Sequence, residues 1–431
     1  MTAVRPRERV DTSALSRLIR PTSPEEFADT VWGRRPHLAS VEDRGGDTFA
    51  DVFSLDAVDE LVAERGLRTP FLRVAKDGST LPERAFTAGG GIGAGIGDQV
   101  SEDKILQLFA DGATVVLQGL HRTWAPVRDL SQALAADLGH PVQVNAYVTP
   151  PQNQGFADHY DVHDVFVLQV HGEKRWALRE PVHADPLRDE PWADRREAVE
   201  ERARGAAYLE TTLRPGDCLY LPRGWIHSAR ALGGTSVHLT FGVHAWTRHH
   251  LAEILLDRAR ERVGRVAEVR TSLPLGLDPT DADSLAEDVE TAREALLAAI
   301  RALPATEVAQ LLRGRARAAQ RPAALSPLAQ LAAADRLDVD TALRLREHLM
   351  LDVLPGPDGQ VTLSSRAGRL GMPSAHLPAL DRLRTGGPAT VTDLAEAAGL
   401  EPDAGLALAR TLVRRGVAVV VPAVGETGRY G

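Results

Sequence analysis

The residues with the clearest capacity for chemistry are two histidines and an aspartate. His159 and Asp161 are separated by one residue, so in an extended strand their side chains project from the same face. His227 follows an apolar run that begins after the turn sequence Pro-Gly-Asp at 215–217. A barrel of strands could bring His227 back beside the first pair. Two imidazole nitrogens and one carboxylate oxygen form the facial triad of non-haem Fe(II) oxygenases, and the same ligands also serve zinc.

The same His-x-Asp spacing occurs a second time, at His183 and Asp185. This pair lies in residues 181–201, which are rich in proline, arginine and acidic residues, and where no strand is predicted to set its geometry. We interpret the second pair as solvated surface and expect the metal only at the first.

The elements that must position these residues are short strands. β-Branched or aromatic runs alternate with turn sequences in the middle of the chain. This spacing predicts a sandwich or barrel, with His171 at a hairpin turn between two of the strands. The predicted strands cover residues 113–117, 142–149, 165–170, 175–179, 218–221 and 236–243.

Helical patterns flank this region on both sides. Residues 1–75 are predicted to be helix-rich, and residues 246–350 contain long amphipathic stretches. Because these later helices have no strand partner, we expect them to pair with each other or with a second subunit, which predicts a homodimer. The tail from about 366 to 422 has the helix-helix-helix-strand order of a winged helix.

Composition excludes several classes of protein. The 431 residues are 43% hydrophobic and carry a formal net charge of −9, so we expect no nucleic-acid binding. No run of 18 apolar residues predicts a membrane span, and the charged first 20 residues argue against a secretory signal. The single cysteine, Cys218, excludes an internal disulfide and a Cys-rich metal site. We expect a cytoplasmic protein.

A glycine-rich segment at 89–97 suggests a phosphate-binding loop, but its glycines do not have that spacing. We interpret it as a surface loop, with closure over a site as the alternative.

Several motifs together resemble the JmjC-type ribosomal oxygenases, which are 2-oxoglutarate-dependent protein hydroxylases of the cupin superfamily. The resemblance covers nearly the whole chain, including the order of its domains. The motifs are WGRRPHL (32–38), NAYVTPPQNQGFADHYD (145–161), FVLQV (166–170), GEKRW (172–176) and LPRGWIH (221–227).

The resemblance implies a set of roles for individual residues. His159, Asp161 and His227 would bind Fe(II), and Lys174 would pair with the distal carboxylate of the cosubstrate 2-oxoglutarate. Tyr147, Asn145 and Thr240 would contact the cosubstrate or the substrate. The partners implied are dioxygen and a protein or peptide, with arginine or histidine hydroxylation of a ribosomal protein as the family precedent.

The predicted fold class is α+β: a double-stranded β-helix (jelly-roll/cupin, JmjC-type) barrel, a helical dimerisation segment and a C-terminal winged helix. The predicted domains are residues 1–110 (an N-terminal helical or mixed part), 111–246 (the JmjC core), 247–360 (dimerisation) and 361–431 (winged helix). Arginines outnumber acidic residues in the tail by only two, so we assign it a structural or protein-contact role. Two alternatives remain: an oxygenase acting on a biosynthetic peptide or small molecule, and a non-catalytic barrel and winged-helix regulator.

Overall fold

The computed structural model describes residues 13–421, apart from Asp77, Gln152 and residues 154–156. Gly155 and Phe156 of the motif around His159 therefore lie outside the described residues. The chain divides into two compact units, Met1–Ala245 and Trp246–Gly431.

The first unit holds the strands that position the candidate site. Its strands are β1 (His37–Ala39), β2 (Leu72–Lys76), β3 (Ser79–Thr80), β4 (Thr87–Ala88), β5 (Gln99–Val100), β6 (Thr114–Leu117), β7 (Val142–Thr149), β8 (Asp164–Arg179), β9 (Leu209–Leu213), β10 (Cys218–Leu221) and β11 (Ile226–Val243). Its helices are α1 (Ala14–Ile19), α2 (Pro24–Thr30), α3 (Leu55–Asp59), α4 (Glu102–Ala110), α5 (Leu120–Thr123), α6 (Ala125–Leu138) and α7 (Arg196–Arg204).

Within the described residues, nine of these strands form one sheet in the order β1-β10-β8-β11-β7-β6-β2-β3, with β9 attached to β8. The two long strands, β8 and β11, pair antiparallel along almost their whole length. The first half of β8 also pairs with β10 and its second half with β9. Apolar side chains such as Val144, Leu168 and Phe241 are fully buried in the core. Each buried side chain of this kind contributes about 1.5–3 kcal/mol relative to an exposed one.

The prediction of two strands separated by a hairpin turn at His171 is wrong. Residues 164–179 form one strand, and His171 lies inside it. Gly172 has a positive φ of 63°, and a Cβ there would lie 2.1 Å from the carbonyl oxygen of Thr235. The glycine therefore bends the strand against β11, where the pairing register shifts between Leu232 and His238, and it does not end the strand.

The second unit begins with four helices and continues with short strands and three more helices. The helices are α8 (Arg248–Val263), α9 (Ala282–Arg301), α10 (Ala305–Ala319), α11 (Pro327–Asp335), α12 (Leu377–Thr385), α13 (Val391–Ala397) and α14 (Pro402–Arg414). The strands are β12 (Ala342–Leu345), β13 (Asp352–Pro355), β14 (Gln360–Ser365), β15 (Gly368–Pro373), β16 (Ala389–Thr390) and β17 (Ala418–Val420). They form two three-stranded sheets, β16-β12-β17 and β13-β14-β15.

The prediction that residues 246–350 are helical fails at its C-terminal end, because β12 lies there. The predicted domain boundary between residues 360 and 361 falls inside β14. Strands of four to six residues offer too short an alternation to be recognised beside longer helical patterns.

In the part of the chain that is described, no single helix is both long enough and apolar enough to cross a membrane. The pair α9 and α10, bent by 82°, meets those two criteria only when taken together.

Candidate metal centre

The three predicted ligands converge at one point. One ligand atom from each of His159, Asp161 and His227 lies within 4.8 Å of the other two. The rings of the two histidines are 4.4 Å apart, and His227 Nε2 lies 3.7 Å from Asp161 Oδ2. The backbone joins the two segments directly, because His159 N donates to the His227 carbonyl at 3.2 Å and His227 N donates to the His159 carbonyl at 2.8 Å.

Both imidazoles are oriented by their own backbone. His159 Nδ1 lies 2.7 Å from the carbonyl oxygen of Ala157, and His227 Nδ1 lies 3.0 Å from that of Trp225. A carbonyl oxygen can only accept, so the proton of each neutral ring is on Nδ1. This tautomer leaves the Nε2 lone pair of both rings available to a metal.

The half-buried carboxylate of Asp158 ties the two ligand segments to the sheet. Asp158, immediately before the first ligand, accepts hydrogen bonds from Arg179 Nη1 and from Ser228 Oγ, both at 2.9 Å. Arg179 is the last residue of β8, and Ser228 follows the third ligand on β11. Asp158 thus connects the loop that carries His159 to both long strands.

The loop that carries Asp161 is held from its other end. Gly224 N donates to the Asp161 carbonyl at 3.0 Å. Asp164, which is fully buried, accepts from the Tyr220 hydroxyl at 2.6 Å and from Arg223 N at 3.1 Å. The turn before His227 and the loop around Asp161 are therefore mutually supporting.

The charges of the triad suit a cation. Burial, and then the neighbouring His159, lower the pKa of His227 to about 4, so its ring is neutral near pH 7. Burial raises the pKa of Asp161, but His163, His227, His159 and Arg73 outweigh it, and the pKa lies below its usual value. Two neutral imidazoles and one carboxylate are the ionisation states in which these groups bind a metal.

A small inner pocket of about 60 Å³ opens from the triad into the sheet. Lys174 lies in its wall with 3% of its surface exposed, and its Nζ donates to Thr149 Oγ1 at 3.1 Å. Burial lowers the pKa of Lys174 to about 7. Among the described residues, no acidic side chain forms an ion pair with this lysine.

The other predicted contact residues lie on two neighbouring strands. Tyr147 on β7 is opposite His238 on β11, and their rings stack at 4.9 Å with an interplanar angle of 2°. Thr240 is opposite Asn145. Tyr147 and Thr240 line the inner pocket, whereas Asn145 does not and accepts a hydrogen bond from Gly119 N at 3.0 Å.

Four further residues of the site were not predicted from the sequence: Thr149, His238, Trp176 and Arg73. The first three border the inner pocket or contact Lys174, and Arg73 lies close enough to Asp161 to lower its pKa. Strand alternation could have found two of them: Thr149 shares a face with Tyr147, and His238 shares a face with Thr240.

A larger outer chamber of about 480 Å³ adjoins the inner pocket and shares Tyr147, Asp161 and Thr240 with it. Its remaining walls come from β2, β7 and β11 and from segments near residues 70, 120 and 163. These wall residues are Pro70, Phe71, Arg73, Gln118, Gly119, His121, Arg122, Gln143, Asn145, His163 and Gly242.

The second His-x-Asp pair lies outside both cavities. His183 Nε2 is 2.9 Å from Glu190 Oε2, and Asp185 forms an ion pair with Arg223 at 2.9 Å. These side chains are therefore committed to protein contacts.

Comparison with known proteins agrees with this geometry. A family model described as "JmjC domain" matches residues 123–251. "Bifunctional lysine-specific demethylase and histidyl-hydroxylase NO66" of Drosophila persimilis is 26% identical over 62% of this chain, and "Ribosomal oxygenase 1" of Gallus gallus is 30% identical over 55% of it. In both comparisons this chain spans 37% of the relative's length.

The solved structure of the Escherichia coli ribosomal oxygenase YcfD in complex with cobalt and 2-oxoglutarate is similar to this fold, with a TM-score of 0.53. The likeness covers 93% of this chain and 98% of that one at 20% identity. The predicted resemblance is confirmed: this chain contains a JmjC domain with a cupin-type fold, and the relatives that it matches are named as ribosomal oxygenases or histidyl-hydroxylases.

Proposed function

We propose that this chain is an Fe(II)- and 2-oxoglutarate-dependent oxygenase that hydroxylates a protein side chain, with a ribosomal protein as the substrate. The observation that carries the proposal is the convergence of the triad His159, Asp161 and His227 beside a buried lysine that pairs with no acidic side chain in the described part of the chain. The names of the relatives support the same activity.

The triad fits Fe(II). Its donor set is two imidazole nitrogens and one carboxylate oxygen that converge on one point, and such a set leaves coordination positions open for further ligands. When bound, the iron and its cosubstrate supply the activation of dioxygen. The protein holds the ligands and keeps both rings in the metal-binding tautomer.

The inner pocket fits 2-oxoglutarate. A buried ammonium is costly unless an anion meets it, and among the described residues Lys174 donates to the hydroxyl of Thr149. A carboxylate of the cosubstrate would supply the missing charge. Tyr147 and Thr240 would border it, while Asn145 faces the outer chamber and would contact the substrate.

Anaerobic binding tests this proposal directly. The chain with Fe(II) and 2-oxoglutarate should develop a weak visible charge-transfer band, and admission of oxygen with ribosomal proteins should yield succinate. His159→Ala should lose both. No band in the unaltered chain would favour the non-catalytic regulator, and turnover only with small molecules or short biosynthetic peptides would favour that alternative substrate class.

We assign the second unit to homodimer formation, through residues of about 250–350. Among its described residues α9 has no buried side chain, and Val289, Leu296 and Leu297 on that helix are at least 37% exposed. An apolar face on a helix is stabilised by a partner. A dimer should be seen by sedimentation, and the double variant Leu296→Glu/Leu297→Glu should be a monomer.

We assign the segment from β12 to β17 to a winged helix with a structural or protein-contact role. Its three-stranded sheet β16-β12-β17 and its helices α12, α13 and α14 support this assignment. Arg414 on α14 pairs with Asp335 at 2.7 Å, so this cation is already engaged by the protein. We expect no nucleic-acid binding, no membrane attachment and a cytoplasmic location, and we retain the division into four domains, with the third boundary moved before β12.

A further inference from the structure

The lining residues of the outer chamber indicate which type of substrate side chain can reach the metal. It lies beside Asp161 and Tyr147, so under the proposed function the target side chain must pass through it. Among its described lining residues, Asp161 is the only carboxylate, and that group is a proposed metal ligand. Arg73 and Arg122 contribute two positive charges.

The loaded metal centre does not offset these charges. The formal charges of a divalent metal, Asp161, a dianionic 2-oxoglutarate and a protonated Lys174 cancel. The field that a substrate meets is therefore set by Arg73 and Arg122. Arg73, on β2, is half-buried in the chamber wall, whereas Arg122 is exposed.

The neutral walls supply hydrogen-bonding groups. Gln118, Gln143 and Asn145 present side-chain amides to the chamber. Such groups complement an imidazole or a carboxamide. An arginine or lysine side chain would find no free carboxylate and would approach two like charges.

We infer that the outer chamber selects a neutral, hydrogen-bonding target side chain, an imidazole or a carboxamide, and that Arg73 excludes cationic ones. The inference rests on the proposed function and narrows it, because the family precedent includes both arginine and histidine. Arg73 acts as a specificity-determining residue and is not assigned a part in metal binding.

Isotope labelling tests the chemical class. The full chain with Fe(II), 2-oxoglutarate and ¹⁸O₂ is incubated with ribosomes from a strain that lacks this protein, and labelled residues are located by mass spectrometry. Label on histidine, asparagine or glutamine supports the inference. Label on arginine, lysine or an acidic residue overturns it and leaves the proposed function intact, whereas absence of label in every protein overturns both.

A binding measurement tests the role of Arg73. A fluorescent peptide containing the labelled site, and the same peptide with arginine at the target position, are titrated without oxygen into the chain loaded with Mn²⁺ and 2-oxoglutarate. We expect the arginine peptide to bind about 100-fold more weakly, and Arg73→Gln to reduce that difference about tenfold. Arg230→Gln, an exposed arginine on β11, is the matched control. Equal binding of the two peptides to the unaltered chain, or an unchanged ratio in Arg73→Gln, would contradict the inference.

Discussion

The two His-x-Asp pairs have the same spacing in the sequence but different contacts in the structure. At 159–161 the imidazole and the carboxylate converge with His227. At 183–185 the imidazole contacts Glu190, and the carboxylate pairs with Arg223. The first pair is joined to β11 by two backbone hydrogen bonds, whereas the second lies outside any strand and Asp185 has a positive φ of 51°.

The difference shows that the spacing supplies ligands only where a strand partner orients them. Arg223 connects the second pair to the segment before His227, because it pairs with both Asp185 and the buried Asp164. The carbonyl of His183 also packs against Gly224, whose backbone donates to Asp161. One pair converges with His227, and the other lies beside the turn that leads to His227.

Alanine substitutions should separate the two pairs most strongly. His159→Ala or Asp161→Ala removes a direct ligand, and we expect Mn²⁺ affinity to fall by more than about 100-fold, since the loss of an outer partner alone costs about 10–100-fold. His183→Ala and Asp185→Ala should retain Mn²⁺ affinity in the same calorimetric titration. Similar losses of Mn²⁺ affinity in the variants of both pairs would contradict the assignment of metal binding to the first pair alone.

The cations beside the two pairs also differ: within the described residues Lys174 pairs with no acidic side chain, whereas Arg223 pairs with Asp164 and Asp185. Lys174→Met should weaken 2-oxoglutarate binding about 10–100-fold, the value of a charged hydrogen bond, with Mn²⁺ affinity unchanged. Lys104→Met, which alters a lysine bound to backbone carbonyls elsewhere in the first unit, is the control. An equal loss of metal and cosubstrate affinity would count against the assigned role.

The same lysine should make cosubstrate binding depend on pH. Burial lowers the pKa of Lys174 to about 7, so the side chain is a cation below that pH and becomes neutral above it. A proton must then be taken up when the anion binds, and 2-oxoglutarate affinity for the Mn²⁺ form should fall about tenfold from pH 6 to pH 8. The dependence should disappear in Lys174→Met. A flat profile for the unaltered chain would show that another group holds the anion.

Asp158 should matter more than its counterpart Asp185, although neither touches the metal. Asp158→Asn weakens the contacts to Arg179 and Ser228 that hold the ligand loop on β8 and β11. We expect Mn²⁺ affinity to fall up to about tenfold, at the low end of the range for supporting residues. Asp185→Asn should leave Mn²⁺ affinity unchanged. A larger loss of Mn²⁺ affinity in Asp185→Asn than in Asp158→Asn would contradict the supporting role of Asp158.

A substitution at Gly224 tests the contact between the segments that carry the two His-x-Asp pairs, and its expected effect is the smallest of this series. Gly224 has a φ of 85°, and a Cβ would lie 2.5 Å from the His183 carbonyl oxygen. Gly224→Ala should therefore lower the free energy of unfolding by about 1–3 kcal/mol, measured as a shift in thermal denaturation. Gly233→Ala shares the positive φ but meets no atom within 4 Å, so it should cost less.

Much of the site could be predicted from local pattern. The alternation of β7 places Asn145, Tyr147 and Thr149 on one face, because the side chains of a strand alternate. The composition and the missing strand around 183–185 were enough to separate the two His-x-Asp pairs. The short strands β12 and β13 and the continuity of β8 through Gly172 were not predicted, because a glycine is typical both of a turn and of a bend within a strand.

The sequence alone determined which residues could bind a metal and that Asn145, Tyr147 and Thr149 share one face of β7, since both depend on residue type and on the local geometry of the chain. Only the tertiary structure decided that β8 contributes Val165 and Val167 to the inner pocket in its first half but Lys174 and Trp176 in its second. That change from odd to even positions arises where Gly172 bends β8 against the register shift in β11. Pairing between distant strands produces this shift, and no alternation within one segment of the sequence encodes it.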